Sequence, residues 1–188
     1  MSMRIEVWGP YGCFSRPEMK TERVSYDIIT PSAVRVLVEA IYWHPGLKYH
    51  IDRIYLLSPI QFTNIRRNEV RSTLLASAAL SAAKGGTPPV LYTSQDIQQR
   101  AAMVLQNVHY VIECHFTMTD KAAPGDNPGK FQDILRRRLS KGQCYHQPCF
   151  GCREFPANFR EWPGGDIPAL EEATQDLGFM LYDLDYSD

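Results

Sequence analysis

From Val108 to Thr117 apolar side chains alternate with mostly polar ones, with Val111 as the apolar residue on the second face. Successive side chains of a β-strand point to opposite faces, so this period of two predicts an extended strand with one buried face. The residues on the first face are Val108, Tyr110, Ile112, Cys114 and Phe116. Those on the second face are His109, Val111, Glu113, His115 and Thr117. The chain is therefore expected to be built around an antiparallel sheet.

Two segments carry helix signals on either side of this strand. Thr30 precedes Pro31 and Asn127 precedes Pro128, the order expected for an N-cap followed by the first helical residue. Apolar residues then recur at helical spacing. They are Val34, Leu37, Val38 and Ile41 in the first segment, and Phe131, Ile134, Leu135 and Leu139 in the second. We predict that the first helix stops at His44–Gly46 and the second at Gly142.

The remaining elements complete an α+β order. Strands are predicted at Arg4–Trp8, ended by Gly9-Pro10, and at Ile51–Leu57, with Pro59–Ile65 extending or bending the second one. Asp96–Gln106 is predicted as a short helix. Residues 72–93, rich in Ala, Ser, Gly and Pro, are predicted as a flexible insertion. Two helices covering one face of an antiparallel sheet fit this order. We predict one domain over residues 1–141 and a small C-terminal β region with an acidic tail over residues 142–188.

The net charge of −1 conceals an uneven distribution. Residues 1–160 contain all 20 Lys and Arg but only 13 of the 21 Asp and Glu, a balance of +7. Residues 161–188 contain the other 8 acids and no Lys or Arg. A basic body favours a polyanionic partner, whereas a merely uneven solvated surface is the simpler alternative. No apolar stretch is long enough to span a membrane and the N-terminus lacks an apolar signal core, so we expect a cytoplasmic protein.

The sequence lacks the motifs of several enzyme classes. It contains no GxSxG, no Walker-type loop and no GxGxxG, which argues against serine hydrolases, nucleotide hydrolases and dinucleotide enzymes. Five cysteines are an odd number, so a closed disulfide framework is not expected. Cys144, Cys149 and Cys152, with His146 nearby, have a spacing that partly resembles a zinc site, but a second pair is missing. We therefore expect neither a metal nor a cofactor.

Three basic segments indicate where a polyanion would bind. Basic residues interleaved with aromatic ones suit single-stranded nucleic acid, through phosphate contacts and base stacking. The cations are Arg16, Lys20 and Arg23 in the first segment, Arg66 and Arg67 in the second, and Arg136, Arg137, Arg138 and Lys141 on the second helix. Lys130 lies in the first turn of that helix, where an anion bound at the helix N-terminus would face it, so it is a candidate phosphate contact. For each segment the alternative is an ordinary solvated surface.

Five blocks of sequence together resemble one known family. They are Arg4–Gly9, Phe14–Tyr26, Ala40–Pro45, Ile65–Val70 and Gly142–Pro156. They look like the CRISPR-associated Cas five family, subtype d, of type I-C systems, and the resemblance runs from the first strand to about Tyr186. It implies an RNA-recognition-motif-like, ferredoxin-like fold with an added small β region.

The resemblance also implies a role. Members of this family cut the CRISPR repeat transcript at the base of its hairpin and then stay on the 5′ handle of the guide RNA as a subunit of the Cascade surveillance complex. The implied partners are the repeat RNA and guide RNA, and the backbone and large subunits of Cascade. Some members are also associated with double-stranded DNA. Arg153, within the last of the five blocks, joins the residues expected to hold RNA.

The family's cleavage is metal-independent and uses the 2′-OH of the RNA, giving a 2′,3′-cyclic phosphate. Its site is described around a Tyr, a Lys and an adjacent His. The Tyr falls on Tyr42, as the base or the group that orients the 2′-OH, and the Lys falls on Lys130, as the group that stabilises the phosphorane. Phe131 stands where the His would be, and it cannot transfer a proton.

This departure leaves several alternatives open. Tyr42 could act alone, or His44 or His146 could replace the missing histidine. A catalytically silent subunit that binds the guide-RNA handle without cutting is the second hypothesis. A free-standing DNA-binding protein is the third, and a zinc protein is the fourth.

Overall fold

A computed structural model of the chain describes residues 2–19, 22–170 and 175–183. In chain order the elements are β1 (Met3–Gly12), β2 (Arg23–Val24), α1 (Pro31–Ile41), β3 (Leu47–Leu56), β4 (Phe62–Val70), α2 (Ala76–Ala83), a 3₁₀ turn (Thr93–Gln95), β5 (Ile97–Met118), α3 (Pro128–Lys141) and β6 (Asn158–Glu161). The predicted α+β class is confirmed. No helix in these described ranges is both long enough and apolar enough to cross a membrane.

The long strand β5 organises the sheet. It pairs antiparallel with β1 from Met3↔Cys114 to Gly12↔Leu105, and antiparallel with β3 from Leu47↔Met118 to Leu56↔Tyr110. Strands β2 and β4 also pair with β5, and β6 pairs antiparallel with the outer side of β1. The strand predicted from the alternation after Val108 is therefore confirmed as the middle of β5.

Three predictions about the strands were wrong. Asp96–Gln106 is not a helix, because Ile97 begins β5 and the following residues stay extended. Gly9-Pro10 does not end the first strand, which continues to Gly12. Pro59–Ile65 neither extends nor bends β3; β4 begins as a separate strand at Phe62.

Both predicted helix starts are confirmed. The Thr30 hydroxyl accepts a hydrogen bond from Ala33 N, and the Asn127 side chain accepts one from Lys130 N at 2.9 Å. These caps satisfy backbone donors that a helix N-terminus leaves unpaired. Gly142 ends α3 in the left-handed conformation at φ +62°, as a helix C-terminus favours. Helix α1 ends at Ile41, before the predicted stop at His44.

The apolar stripes of the two helices face the sheet and form the core. Every predicted stripe residue is buried except Ile134, which is half-buried. The facing residues of β1 and β5 include Ile5, Val7, Tyr110 and Ile112, all buried. Phe150, in the turn-rich segment after α3, is also buried and packs against Phe14 and Tyr110.

The chain forms two compact units. One comprises residues 1–63 and 103–188 and holds the core described above; the other comprises residues 64–102. The second unit contains most of β4, helix α2 and the start of β5, so the predicted insertion at 72–93 contains a helix at Ala76–Ala83. The division after residue 141 remains a prediction. The C-terminal segment contributes strand β6 to the main sheet.

Candidate active site

Tyr42 lies at the point where α1 ends. It is the C-cap residue, with extended backbone angles of φ −146° and ψ 113°, and it is only 6% exposed. Its ring packs against Phe131 with centroids 6.2 Å apart, and the guanidinium carbon of Arg138 lies 4.9 Å from its centroid. Its carbonyl accepts a hydrogen bond from the Tyr49 hydroxyl at 2.9 Å. Contacts from α3 and β3 therefore fix the position of this phenol.

Lys130 extends from the first turn of α3. Its ammonium donates to Asp126 Oδ1 at 2.8 Å, and its side chain is 52% exposed. Asp126 precedes the Asn127 cap and accepts a second hydrogen bond, from Ala123 N at 2.9 Å. The carboxylate of Asp126 thus keeps the Lys130 ammonium close to the N-terminus of α3. The free N–H groups of a helix N-terminus favour a bound anion.

His44 completes the cluster from the loop after α1. Its ring lies 4.8 Å from the ring of Phe131, and its Nε2 lies 3.9 Å from Asp126 Oδ2. Gly46 N donates to His44 Nδ1 at 3.0 Å. Since Nδ1 accepts, the neutral imidazole carries its proton on Nε2, on the side that faces Asp126.

The electrostatics of the cluster follow from these contacts. Burial raises the pKa of the Tyr42 phenol, and the positive charges of Arg138 and Lys130 only partly oppose this. The hydrogen bond to Asp126 raises the pKa of Lys130, and the same bond lowers the pKa of Asp126. At neutral pH the site therefore holds a protonated phenol, an ammonium and a carboxylate.

The structure brings together the two residues that the sequence singled out as catalytic. Tyr42 and His44 both contact Phe131, and Lys130 is the residue before it. Such an arrangement can bind a phosphate and offer proton donors beside it. Sequence reasoning had left His44 as one of two possible substitutes and had missed Asp126. The signals for Asp126 were its position directly before the Asn127 cap and its i,i+4 spacing to Lys130.

Several of the predicted RNA-holding cations have partners within the protein. Arg16 forms an ion pair with Asp27 at 2.7 Å, and Arg136 approaches Glu161 at 3.4 Å. Arg138 donates to the carbonyl of Ile41 at 2.6 Å and its guanidinium lies over the Tyr42 ring, so it helps to position Tyr42. Arg23 lies 4.0 Å from Glu154. Arg67 is half-buried and also interacts with other groups.

Other predicted cations are exposed and have no ion pair in the part of the chain that the structure describes. They are Arg66 in the second unit and Arg137, Lys141 and Arg153 in the first. Lys20 lies outside the described residues. The structure thus leaves Arg137, Lys141 and Arg153 available for a polyanion within the unit that holds Tyr42.

The cysteines do not assemble as the partial zinc spacing suggested. Cys152 lies against Cys13, with its Sγ 3.9 Å from the Cys13 carbonyl oxygen. Gly151, between Phe150 and Cys152, has φ +80°, and a Cβ there would lie 1.9 Å from the same oxygen, so only glycine fits. Within residues 2–19, 22–170 and 175–183, no three His, Cys, Asp or Glu side chains are grouped to hold a metal ion.

Comparison with known proteins relates nearly the whole chain to one family. The family model Cas_Cas5d, described as CRISPR-associated protein (Cas_Cas5), matches residues 2–188. A protein of Mannheimia succiniciproducens named CRISPR pre-crRNA endoribonuclease Cas5d is 47% identical, over 98% of this chain and 85% of its own length. A protein of Thermus thermophilus with the same name is 40% identical, over 97% of this chain and 72% of its own length.

Solved structures share the fold at lower identity. One titled as a CRISPR-associated protein matches with a TM-score of 0.58 and 18% identity, over 86% of this chain. A chain from a structure titled as a CRISPR RNA-guided surveillance complex matches with a TM-score of 0.50 and 13% identity, over 87% of this chain. The present chain spans 66% and 61% of the length of those two chains. At such identity the likeness supports the α+β fold alone.

Proposed function

This chain belongs to the Cas5d family of CRISPR-associated proteins, and from that premise we propose that it is an endoribonuclease that cuts CRISPR repeat RNA at the base of its hairpin. Two relatives that cover nearly all of this chain carry the name pre-crRNA endoribonuclease. The observation that carries the proposal is the convergence of Tyr42, His44 and the Lys130–Asp126 pair around Phe131.

The proposed reaction uses the 2′-OH of the RNA as the nucleophile. Its oxygen attacks the adjacent phosphorus, the bond to the 5′-oxygen of the next nucleotide breaks, and the products are a 2′,3′-cyclic phosphate and a 5′-OH. The 2′-OH loses a proton and the 5′-oxygen gains one, so the reaction balances without a metal or cofactor. It needs a proton acceptor, a cation for the phosphorane and a proton donor.

Lys130 supplies the cation in this proposal. Its ammonium stays charged because of the bond to Asp126, and half of the side chain is open to an incoming phosphate. The free backbone N–H groups at the start of α3 add to the positive potential. Lys130 would therefore stabilise the negative charge that develops on the phosphorane oxygens.

Tyr42 orients the 2′-OH rather than removing its proton as a phenolate. Burial raises the pKa of the phenol, so its hydroxyl is protonated at neutral pH and is suited to donate or relay a hydrogen bond. The proton donor to the 5′-oxygen is then His44, whose Nε2 carries the proton of the neutral ring, and water accepts the proton of the 2′-OH. His44 would take the role that Phe131 cannot perform.

After cleavage the protein remains on the 5′ handle of the guide RNA as a subunit of Cascade. Arg137, Lys141 and Arg153 are proposed to hold the RNA backbone in the unit that contains the site, and Arg66 does so in the other unit. The backbone and large subunits of Cascade are the proposed protein partners, with double-stranded DNA as a further polyanionic ligand. Because the substrate is a transcript, the proposed compartment is the cytoplasm.

A second candidate function is a handle-binding subunit that does not cut. Phe131 at the place of the family histidine favours it, as does the near-complete burial of Tyr42. Both functions predict tight binding of the repeat hairpin, and only the first predicts cleavage.

The test is a cleavage and binding assay on end-labelled repeat hairpin RNA in EDTA. We expect wild type to cut, and Tyr42→Phe and Lys130→Ala to bind the RNA with unchanged affinity but to cut far more slowly. Tyr92→Phe and Lys84→Ala are matched controls, since both residues are exposed in the second unit, and they should cut like wild type. Tight binding by an intact wild type without any cleavage would establish the handle-binding function instead.

A further inference from the structure

A groove of about 630 Å³ is lined by the last turns of α1, by Trp43 and by the loop that follows α3. Its apolar lining comes from Val36, Ala40, Trp43 and Tyr145, and Arg153 is among its charged lining residues. The volume falls within the range of pockets that hold small organic ligands. None of the roles proposed above for Tyr42, His44 or Lys130 uses this groove.

Two large aromatic rings are presented to solvent in this groove. Trp43 is 50% exposed and Tyr145 is 57% exposed, and their centroids lie 6.4 Å apart at an interplanar angle of 28°. The ring of His146 lies 4.3 Å from that of Tyr145. Exposed aromatic side chains that cluster in a groove indicate a binding site more often than isolated ones do.

The backbone that carries these rings is held in place. Tyr145 N and His146 N each donate to the carbonyl of Ala40 at 2.9 Å, and Arg138 donates to the carbonyl of Ile41. These bonds satisfy carbonyls that the end of α1 would otherwise leave unpaired. The backbone positions from which the rings extend are thus set before a ligand arrives, which lowers the entropic cost of binding.

The groove combines a flat apolar surface with the exposed guanidinium of Arg153. Glu39 also lines the groove and pairs with Arg35 at 3.2 Å, and Arg35 is shared with Asp183 at 2.9 Å. Arg153 is exposed and makes no ion pair with any residue that the structure describes. An aromatic surface beside an unpaired guanidinium matches a nucleobase with its phosphate.

We propose that this groove binds one unpaired nucleotide of the single-stranded RNA next to the repeat hairpin, with its base stacked on Trp43 and Tyr145 and its phosphate on Arg153. The proposal rests on the function proposed above. Trp43 follows Tyr42 directly in the chain, with its side chain half-exposed where that of Tyr42 is buried. The groove would select for an unpaired nucleotide, since a base inside a duplex is already stacked between its neighbours on both faces.

The test compares two RNA probes and two classes of variant. The probes are the repeat hairpin with its single-stranded flanks and the same hairpin trimmed of them. We expect Trp43→Ala and Tyr145→Ala to bind the flanked RNA about tenfold more weakly than wild type and to bind the trimmed RNA equally well. Tyr92→Ala, which removes an exposed tyrosine of the second unit, should bind both probes like wild type.

A second readout locates the bound base. Replacing single flank positions by 2-aminopurine should give quenched fluorescence at one or two adjacent positions, and Trp43→Ala should relieve that quenching. Thermal melts of the variants control for folding. Equal losses on flanked and trimmed RNA, or quenching that Trp43→Ala leaves unchanged, would overturn the proposal.

Two further outcomes separate the groove from the function on which it rests. If wild type and both groove variants cut and bind flanked RNA alike, but the variants fail to assemble with the Cascade backbone subunit, the groove is a protein-docking site and the nucleotide proposal is wrong. If wild type binds no repeat RNA at all, the proposed function fails together with the groove proposal.

Discussion

The imidazole of His44 lies 4.8 Å from the ring of Phe131, tilted by 45° to it. A histidine from the loop after α1 thus packs against the residue that stands where the family resemblance predicts a histidine on α3. Its Nδ1 accepts a hydrogen bond from Gly46 N, which leaves the proton on Nε2. A proton-transfer group is therefore present in the cluster even though position 131 cannot provide one.

The first prediction concerns His44 itself. His44→Ala should slow cleavage of the repeat hairpin by about 10²–10⁴-fold, the usual contribution of a positioned general acid or base, while RNA affinity stays unchanged. Single-turnover rates and a binding isotherm measure the two effects. His50→Ala, a histidine on β3 that bonds to Thr117, is the matched control. A His44→Ala rate within threefold of wild type would exclude His44 from proton transfer.

The second prediction concerns position 131, where the family resemblance places the histidine. Phe131→His in the His44→Ala background should restore part of the lost cleavage rate, because the two side chains occupy the same cluster. The substitution is also expected to lower the free energy of unfolding by about 2–4 kcal/mol, since Phe131 is fully buried. The rate is therefore measured well below the melting temperature. If the double variant folds but cuts no faster than His44→Ala, the two positions are not equivalent.

The third prediction concerns Lys130. Lys130→Ala should lower the cleavage rate by about 10²–10³-fold, comparable to removing one group that stabilises an anionic transition state. Asp126→Asn keeps the ammonium but weakens its anchor, so a smaller loss is expected. Equal losses for the two variants would mean that Asp126 does more than position Lys130.

The fourth prediction is a pH dependence. Because burial raises the pKa of Tyr42, its phenol stays protonated through neutral pH, and the cleavage rate should show no rise from tyrosine ionisation between about pH 6 and 9. Tyr42→Phe should therefore lower the rate by a similar factor at each pH. A rise with pH in wild type that disappears in Tyr42→Phe would show that the phenolate is the base.

The fifth prediction concerns the sheet edge that anchors β6. Glu6 is buried on β1, where it accepts hydrogen bonds from Arg160 and from His109 at 2.8 Å. Burial alone would raise the pKa of Glu6, but the hydrogen bonds and the charges of its two partners together outweigh burial and lower the pKa. Glu6→Gln should cost about 1.5–3 kcal/mol of unfolding free energy at pH 7.

The sign of the pH effect follows from that lowered pKa. The contribution of Glu6 is fully present above the ordinary glutamate pKa of about 4.3 and is lost as pH falls through the lower value of the folded state. Denaturant unfolding of wild type and Glu6→Gln should therefore differ most near neutral pH and converge in acid. A difference that does not depend on pH would contradict this account.

The sequence predicted the parts of the fold that local chemistry decides. Thr30 and Asn127 cap helices in the structure because their side chains accept the hydrogen bonds that the prediction required. The stripe from Val34 to Ile41 is buried because its spacing matches one helix face. Such signals depend on neighbouring residues alone, so a single sequence contains them.

The wrong prediction at Asp96–Gln106 shows that local helix propensity does not determine the structure of every segment. This segment contains three Gln, two Ala and one each of Arg, Met and Leu, all of which favour a helix in isolation. In the structure it extends β5, and Met103 O accepts a hydrogen bond from Ser25 N near β2. Distant strands supply its backbone partners, and such pairing overrides intrinsic propensity.

The candidate site was only half predictable for a similar reason. Tyr42 and Lys130 were identified through the family resemblance, and Lys130 also through its place at a helix N-terminus. The Asp126–Lys130 pair has the i,i+4 spacing of neighbours on a helix, but the approach of Asp126 to His44 depends on how the loop before α3 folds back toward the end of α1. No spacing in the sequence encodes that approach.

The central claim is that this chain cuts its repeat RNA through the RNA's own 2′-OH. The most direct measurement is single-turnover cleavage in EDTA of two hairpins that differ only by one deoxy sugar at the cut site, with analysis of the product ends. The account predicts that the all-ribose hairpin is cut to a 2′,3′-cyclic phosphate and a 5′-OH, and that the deoxy hairpin stays intact. Cleavage of the deoxy hairpin, or binding of the ribose hairpin without cleavage, would contradict it.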